Sequence, residues 1–237
     1  MIKFNCDLAE GGKYDERLMP LISYCNIACG GHFGNKQTVL EAVQLAIKNN
    51  VNIGAHPSYP DVENFGRKKM DMSLKDLRKS LKTQILLIKD TVERLGEKLH
   101  HIKPHGALYN ELKYDKEKSL MMIDLVKEID DELVLFVPPK SVIEEEAKNK
   151  IKTLIEGFAD RAYEEDLSLV SRGKTGAVLH DKNQILEKVK LMGLESKIIT
   201  LNGVILNQKI DTICIHSDTE NSVEILEYLY SSLHKKQ

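Results

Sequence analysis

Tryptophan is absent from this 237-residue chain, and only 5% of its residues are aromatic. That scarcity leaves few flat rings on which the bases of a single-stranded nucleic acid could stack. An excess of positive charge is missing too: 34 Lys and Arg face 36 Asp and Glu, a formal charge of −2. Without a basic field, neither nucleic acid nor an anionic membrane surface is an expected partner. No apolar run approaches the ~18 residues that cross a bilayer. The opening Met1-Ile2-Lys3-Phe4-Asn5-Cys6-Asp7-Leu8 lacks the basic-then-apolar pattern of a targeting segment. Four cysteines (Cys6, Cys25, Cys29, Cys214) are scattered with no CxxC pair, which reads as reduced thiols in a cytoplasmic protein. Pro/Gly/Ser-rich linkers, low-complexity tracts and internal repeats are also lacking. A single domain over 1–237 is expected, large enough to bury about 70% of its unfolded surface without a disulfide or structural metal. HExxH, GxSxG and GxGxxG do not occur. Gly173-Lys174-Thr175 resembles the end of a phosphate loop, but Ser168 stands where the first glycine is required.

What the chain does have is an alternation of short apolar runs with segments of helical period. Seven short runs rich in β-branched or aromatic residues read as strands: 2–8, 24–29, 51–55, 100–105, 133–138, 153–158 and 212–216. Helical segments cover 37–49, 73–95, 116–130, 140–149, 181–192 and 219–233. Leu74, Leu77, Leu81, Ile85 and Ile88 place one apolar stripe over four turns. Asn202-Gly203 between Ile198-Ile199 and Val204-Ile205 predicts a hairpin with a type I′ turn. Strands alternating with helices argue for a parallel sheet covered by helices, either open or closed into a barrel.

Parallel α/β folds carry their chemistry at the carboxyl ends of the strands. Polar residues gather there. The first strand ends in Asn5, Asp7 and Glu10, and the second in Asn26, Cys29 and His32. The third ends at His56, with Arg67 following, and the fourth carries Lys103, His105 and Tyr109. Asp160 and Arg161 follow the sixth, and His216 and Asp218 the last. His101 lies close to the same level. Taken singly, each has an ordinary structural role as a cap, a packed histidine or an ion pair. Independent capping does not place His, Asp, Lys and Arg at the same end of nearly every strand. Imidazoles and carboxylates can act as general acid and base or hold a divalent metal. Lys103 and Arg161 can stabilise a phosphate or a developing oxyanion.

The motifs themselves resemble one family. Asn5-Cys6-Asp7-Leu8-x-Glu10, Asn26-Ile27-Ala28-Cys29-Gly30-x-His32 and Gly54-Ala55-His56-Pro57-Ser58-Tyr59-Pro60-Asp61 come first, followed by Phe65-Gly66-Arg67. Lys103-Pro104-His105-Gly106-Ala107-Leu108-Tyr109-Asn110, Glu156-Gly157-Phe158-Ala159-Asp160-Arg161-Ala162-Tyr163 and Ile213-Cys214-Ile215-His216-x-Asp218-Thr219 complete the set. In this order they are similar to the LamB/YcsF family, the A subunit of bacterial 5-oxoprolinase. Ala9, Gly31, Phe33, Asn35-Lys36 and Asn64 depart from the usual family residues, which are Gly, Phe, Ala, Asp-Pro and Gly.

The resemblance implies a distorted TIM-like (β/α)7 barrel of the glycoside hydrolase/deacetylase kind, with the hairpin near 197–208 as a small excursion. It also implies opening of 5-oxo-L-proline to L-glutamate coupled to hydrolysis of ATP to ADP and phosphate, with magnesium accompanying the ATP. Companion B and C subunits are implied as partners, and self-association is open. In that reading Asp7 or Glu10 is the base for water, and His56 or His105 supplies a proton. Lys103 and Arg161 neutralise phosphate. Asn26, His32, Arg67, Tyr109, Asp160, His216 and Asp218 line the substrate site. Two other readings stay open at this point. One is a metal-dependent amidohydrolase or deacetylase working without ATP, with Asp7, His32 and His56 holding the ion. The other is a ligand-binding subunit, with catalysis residing in B and C.

Overall fold

The computed structural model describes residues 2–217, 219 and 221–233. Asp218 lies outside them. Strand β1 (Phe4–Leu8) is followed by a short helix α1 (Asp15–Leu18), β2 (Tyr24–Ala28), α2 (Lys36–Lys48) and β3 (Asn52–His56). Next come α3 (Leu74–Arg94), β4 (His101–Ile102), α4 (Gly106–Glu111), α5 (Lys116–Ile129), β5 (Val134–Val137) and α6 (Val142–Ala147). The chain ends with β6 (Lys152–Phe158), α7 (Lys182–Glu195), the pair β7 (Lys197–Ile199) and β8 (Ile205–Asn207), β9 (Thr212–Cys214) and α8 (Ser222–Leu233). Seven parallel strands close into a barrel in the order β1-β2-β3-β4-β5-β6-β9. The (β/α)7 expectation is met. Among the described residues no helix is long and apolar enough to cross a membrane.

The strand sequences explain which way their side chains turn. In β1, Phe4, Cys6 and Leu8 belong to the apolar cluster beneath the helices, while the alternate Asn5 and Asp7 make polar contacts with other strands. Asn5 Nδ2 donates to Thr212 Oγ1 at 3.0 Å, and Asn26 Nδ2 donates to Asn5 Oδ1 and Asp7 Oδ1, each at 2.8 Å. His101 Nε2 donates to Asn26 Oδ1 at 2.8 Å, although β2 and β4 are not neighbours. Such contacts are possible only across the lumen. The period of 2 is therefore present with polar residues facing inward and apolar ones outward. Outside, Leu77, Leu81, Ile85 and Ile88 of α3 are fully buried, each burial contributing roughly 1.5–3 kcal/mol. Leu74, at the first turn of the helix, is only half-buried. Ser73 caps α3, accepting from Asp76 N at 3.1 Å.

The hairpin near 197–208 forms, with Lys197 opposite Asn207 and Ile199 opposite Ile205. Its turn differs from the type I′ expectation. Gly203 N donates to Thr200 O at 3.0 Å, and only Gly203 has positive φ (+83°). The central residues are thus Leu201 and Asn202, and Gly203 supplies the left-handed residue after a right-handed turn.

Gly54 has no room for a side chain. A Cβ there would lie 2.1 Å from His101 Nε2, the group that ties the lumen to Asn26. Gly54→Ala is expected to lower stability by about 1–3 kcal/mol in urea unfolding. Adding His101→Ala is expected to return part of that loss, and an unchanged midpoint in the single variant would refute the close approach.

Candidate active site

The carboxyl ends of the strands open into a cavity of about 620 Å3. Its wall includes Asp7, Glu10, His56, Arg67, Lys103, His105, Tyr109, Arg161 and His216, nine of the residues singled out from the sequence. Asn26, His32 and Asp160 stand one layer behind, each bonded to a residue near the cavity. Asp218 is outside the described residues.

The floor is an ionic cluster. Lys103 Nζ donates to Asp7 Oδ1 at 2.8 Å and to Cys214 Sγ at 3.2 Å, and lies 2.9 Å from Glu156 Oε1. All three polar partners are buried, and Glu156 also meets the Tyr109 hydroxyl. Burial pulls the Lys103 ammonium down, but Asp7 and the other negative neighbours outweigh it and hold the pKa well above the ordinary value. Burial likewise pushes the Asp7 carboxyl up. His56 and Lys103 reverse this and leave it well below the usual carboxylate range. Cys214 is a buried thiol whose pKa is raised well above normal, first by burial, so it is no ready nucleophile.

Above the floor three imidazoles surround Glu10. His32 Nε2 is 2.8 Å from Glu10 Oε1, His105 Nδ1 3.4 Å and His56 Nε2 3.7 Å. His56 Nε2 and His105 Nδ1 are 2.9 Å apart. The His32 and His105 rings stack with centroids 3.7 Å apart. This group, Glu10, His32, His56 and His105, is one set of potential metal ligands; Asp7, Cys214 and His216 form another. The ion set expected from sequence, Asp7, His32 and His56, is thus divided between the two.

His216 faces the cavity from the opposite side. Its Nδ1 lies 3.1 Å from both oxygens of the buried Asp160, whose carboxylate also accepts from Thr219 Oγ1. Burial raises the Asp160 pKa, but His216 overrides it and the carboxyl stays well below its ordinary range. Beyond this pair the segment after β6 folds over the cavity as a flap, through bridges Arg161–Val178 and Tyr163–Leu169. Arg161 is held by the carbonyls of Val170 and Ala177, at 2.6 and 3.4 Å. After burial, the charges of Arg172 and Arg67 are among the causes that lower its pKa, so three guanidiniums share one end of the cavity. Gly173-Lys174-Thr175 lies on this flap with Lys174 paired to Glu164 at 2.8 Å, and forms no strand-to-helix phosphate loop.

Sequence reading missed Glu156 and Cys214 as members of the floor, and residues 167–172 as part of the wall. A lone carboxylate inside the apolar strand Lys152–Phe158 was the available signal for Glu156. Lys188, on α7, was also missed. Its amine is buried against Arg161 O and lies 4.9 Å from the Tyr163 ring centroid.

Two stability predictions follow from these buried charges. Lys103→Met leaves Asp7 and Glu156 without their cation, and is expected to cost about 3–5 kcal/mol in urea unfolding; a loss below about 1 kcal/mol would show that the pairs are not coupled. Lys188 is pushed down to about 7 by burial, whereas an unfolded lysine keeps its proton to about pH 10.4. Between those values the unfolded chain binds more protons, so stability rises with pH. From pH 7 to pH 9 the protein should gain about 2 kcal/mol relative to Lys188→Met. Parallel pH profiles for the two proteins would contradict this.

Comparison with known proteins agrees with the geometry. The LamB/YcsF family model matches residues 2–237. The A subunit of 5-oxoprolinase from Staphylococcus epidermidis is 37% identical over 241 residues, covering 99% of this chain and 96% of the relative. That of Thermococcus sibiricus is 38% identical over 244 residues, covering 99% and 94%. Among solved structures, the lactam utilization protein of Thermus thermophilus superposes with a TM-score of 0.91 at 34% identity, covering 99% of this chain and 96% of that one. By sequence over its whole length and by its seven-stranded barrel, this chain belongs to the LamB/YcsF family.

Proposed function

We propose that this chain is the ring-opening component of an ATP-dependent 5-oxoprolinase, acting with companion B and C subunits on 5-oxo-L-proline. The observation that carries the reading is the two-ended cavity. Carboxylates and imidazoles (Asp7, Glu10, His56, His105) form one wall, and guanidiniums (Arg161, with Arg67 and Arg172) form the other. Relatives that bear the name of the 5-oxoprolinase A subunit support the same substrate.

A lactam carbonyl is a poor electrophile because the ring nitrogen donates into it. Transfer of the γ-phosphoryl group of ATP to the lactam oxygen, with departure of ADP, removes that protection. Water, deprotonated by Asp7 or Glu10, adds to the ring carbon. The C–N bond then breaks as the nitrogen takes a proton, leaving the γ-carboxyl of glutamate as its phosphate anhydride. A second water releases phosphate and L-glutamate. Arg161 and its neighbours neutralise the phosphate, and Lys103 fixes the Asp7 carboxylate from below.

Hydrogen bonding favours His216 as the proton donor. Asp160 accepts from its Nδ1, which fixes the ring and leaves Nε2 as the nitrogen free to exchange a proton in the cavity. His56 and His105, the donors favoured by sequence, each point one nitrogen at a backbone carbonyl and the other at each other. Tyr109 is buried in the wall, and its hydroxyl meets the Glu156 carboxylate of the floor.

The test is release of glutamate and phosphate from 5-oxoproline and ATP by the chain with and without B and C. Coupled release only in the assembled enzyme is the expected result; glutamate formed without ATP would instead support the ATP-independent hydrolase. In the assembled enzyme His216→Ala and Asp160→Asn should each lower turnover by about 10²–10⁴-fold. Undiminished turnover in His216→Ala would remove it from the reaction.

A further inference from the structure

We propose that Glu10, His56 and His105 bind one divalent cation of the zinc class, with His32 orienting Glu10. The proposal goes beyond the ring-opening reading and stands on the ring-nitrogen geometry alone.

The backbone fixes which nitrogen of each ring carries hydrogen. His56 Nδ1 lies 2.7 Å from Lys103 O, and His105 Nε2 lies 2.9 Å from Phe65 O. A carbonyl only accepts, so both of these nitrogens are N–H donors. In the neutral rings the remaining atoms, His56 Nε2 and His105 Nδ1, present lone pairs to each other across 2.9 Å. Two lone pairs at that distance repel unless a positive centre lies between or beside them.

A proton on His56 Nε2, which also lies 3.4 Å from Asp7 Oδ2, would answer the pair, whereas a cation in its place also engages Glu10. Glu10 Oε1 sits 3.4 Å from His105 Nδ1 and 3.7 Å from His56 Nε2. Three atoms with these separations lie on a circle of radius about 2 Å, and the ordinary zinc–nitrogen and zinc–oxygen distances are about 2.0–2.2 Å. A cation near the centre of that circle reaches all three donors without movement of the backbone. All three residues line the cavity, which leaves the remaining coordination positions open to it.

The supporting contacts match those of a ligand set. The outer nitrogens of His56 and His105 are anchored on carbonyls, and Glu10 is held by His32 at 2.8 Å. His32 is better suited to this holding role than to ligation. Its Nδ1 is buried without a partner among the described residues, so ligation through Nε2 would strand an N–H there. Donation from Nε2 to Glu10 leaves only a lone pair unpaired, a smaller penalty.

The isolated full chain tests this without substrate, nucleotide or partner. After treatment with a chelator, it is titrated with Zn²⁺ and Co²⁺, with Mg²⁺ as the hard-cation comparison. The expected result is one equivalent of Zn²⁺ or Co²⁺. Binding should be at least 100-fold weaker in His56→Ala and His105→Ala, about 10–100-fold weaker in His32→Phe, and unchanged in Cys214→Ser. X-ray absorption of the zinc-loaded unmodified chain should count two imidazoles and no sulfur, a readout that does not depend on any variant folding. No uptake at micromolar Zn²⁺, a sulfur ligand, or full uptake by His56→Ala and His105→Ala would each overturn the assignment. The lactam assay is a separate measurement, so failure of one reading is distinguishable from failure of the other.

Discussion

Lys103 sets both the charge and the proton arrangement of this barrel. Its ammonium lies between Asp7 and Glu156 at 2.8 and 2.9 Å, and its backbone carbonyl takes the Nδ1 proton of His56. One residue at the end of β4 therefore fixes the Asp7 oxygen on one side and the His56 tautomer on the other. A buried ammonium is tolerable only with such partners, and buried carboxylates only with such a cation. The lumen is thereby committed to a polar arrangement from Asn5 upward, and the helices outside supply the hydrophobic stabilisation that the inside of the barrel gives up.

Much of this was legible because the strands obey a simple rule. Short apolar runs alternating with helical segments gave the seven strands and their number, and the clustering of His, Asp and Lys at strand ends gave the mouth. What was less legible depends on partners distant in sequence. Glu156 is one acid in a seven-residue strand, and only the barrel's closure shows that Lys103 awaits it. The flap over 161–178 lacks any hydrophobic period, and its two isolated bridges are set by tertiary contact. The Asn202-Gly203 dipeptide marked the hairpin correctly but not its turn, because the loop is longer than two residues and only the glycine is left-handed.

The departures from the usual family residues fall outside the chemistry. None of Ala9, Gly31, Phe33, Asn35 or Asn64 lines the cavity. Asn35 caps α2, accepting from Gln37 N and Thr38 N, so its amide serves the helix that a carboxylate would also cap. Asn64 binds Asp61 Oδ1 through both its nitrogens, and its φ is not positive, so no glycine is needed. At Gly31 a Cβ would meet Gln84 Oε1 and Ser58 Oγ at 2.3 Å. The buried Gln84 fills that space and bonds the Ser58 backbone. The ring at Phe33 instead lies against Gly11 and near Phe65. Ala9 alone bears a visible cost, at φ +57°, in the turn that carries Glu10 back over the lumen.

The two ends of the cavity differ in rigidity as well as charge. Asp7, His56, Lys103 and His105 stand at or next to strand ends and are locked to one another and to backbone carbonyls. Arg67 and Arg172 are exposed, on a loop and on the flap, and Arg161 begins the flap. Groups that move protons need fixed distances, whereas groups that receive a charged, exchangeable ligand need access. A volume of about 620 Å3 is also within the range of sites that hold drug-sized ligands. Charge and access thus divide the cavity into a fixed end of carboxylates and imidazoles and an accessible end of guanidiniums.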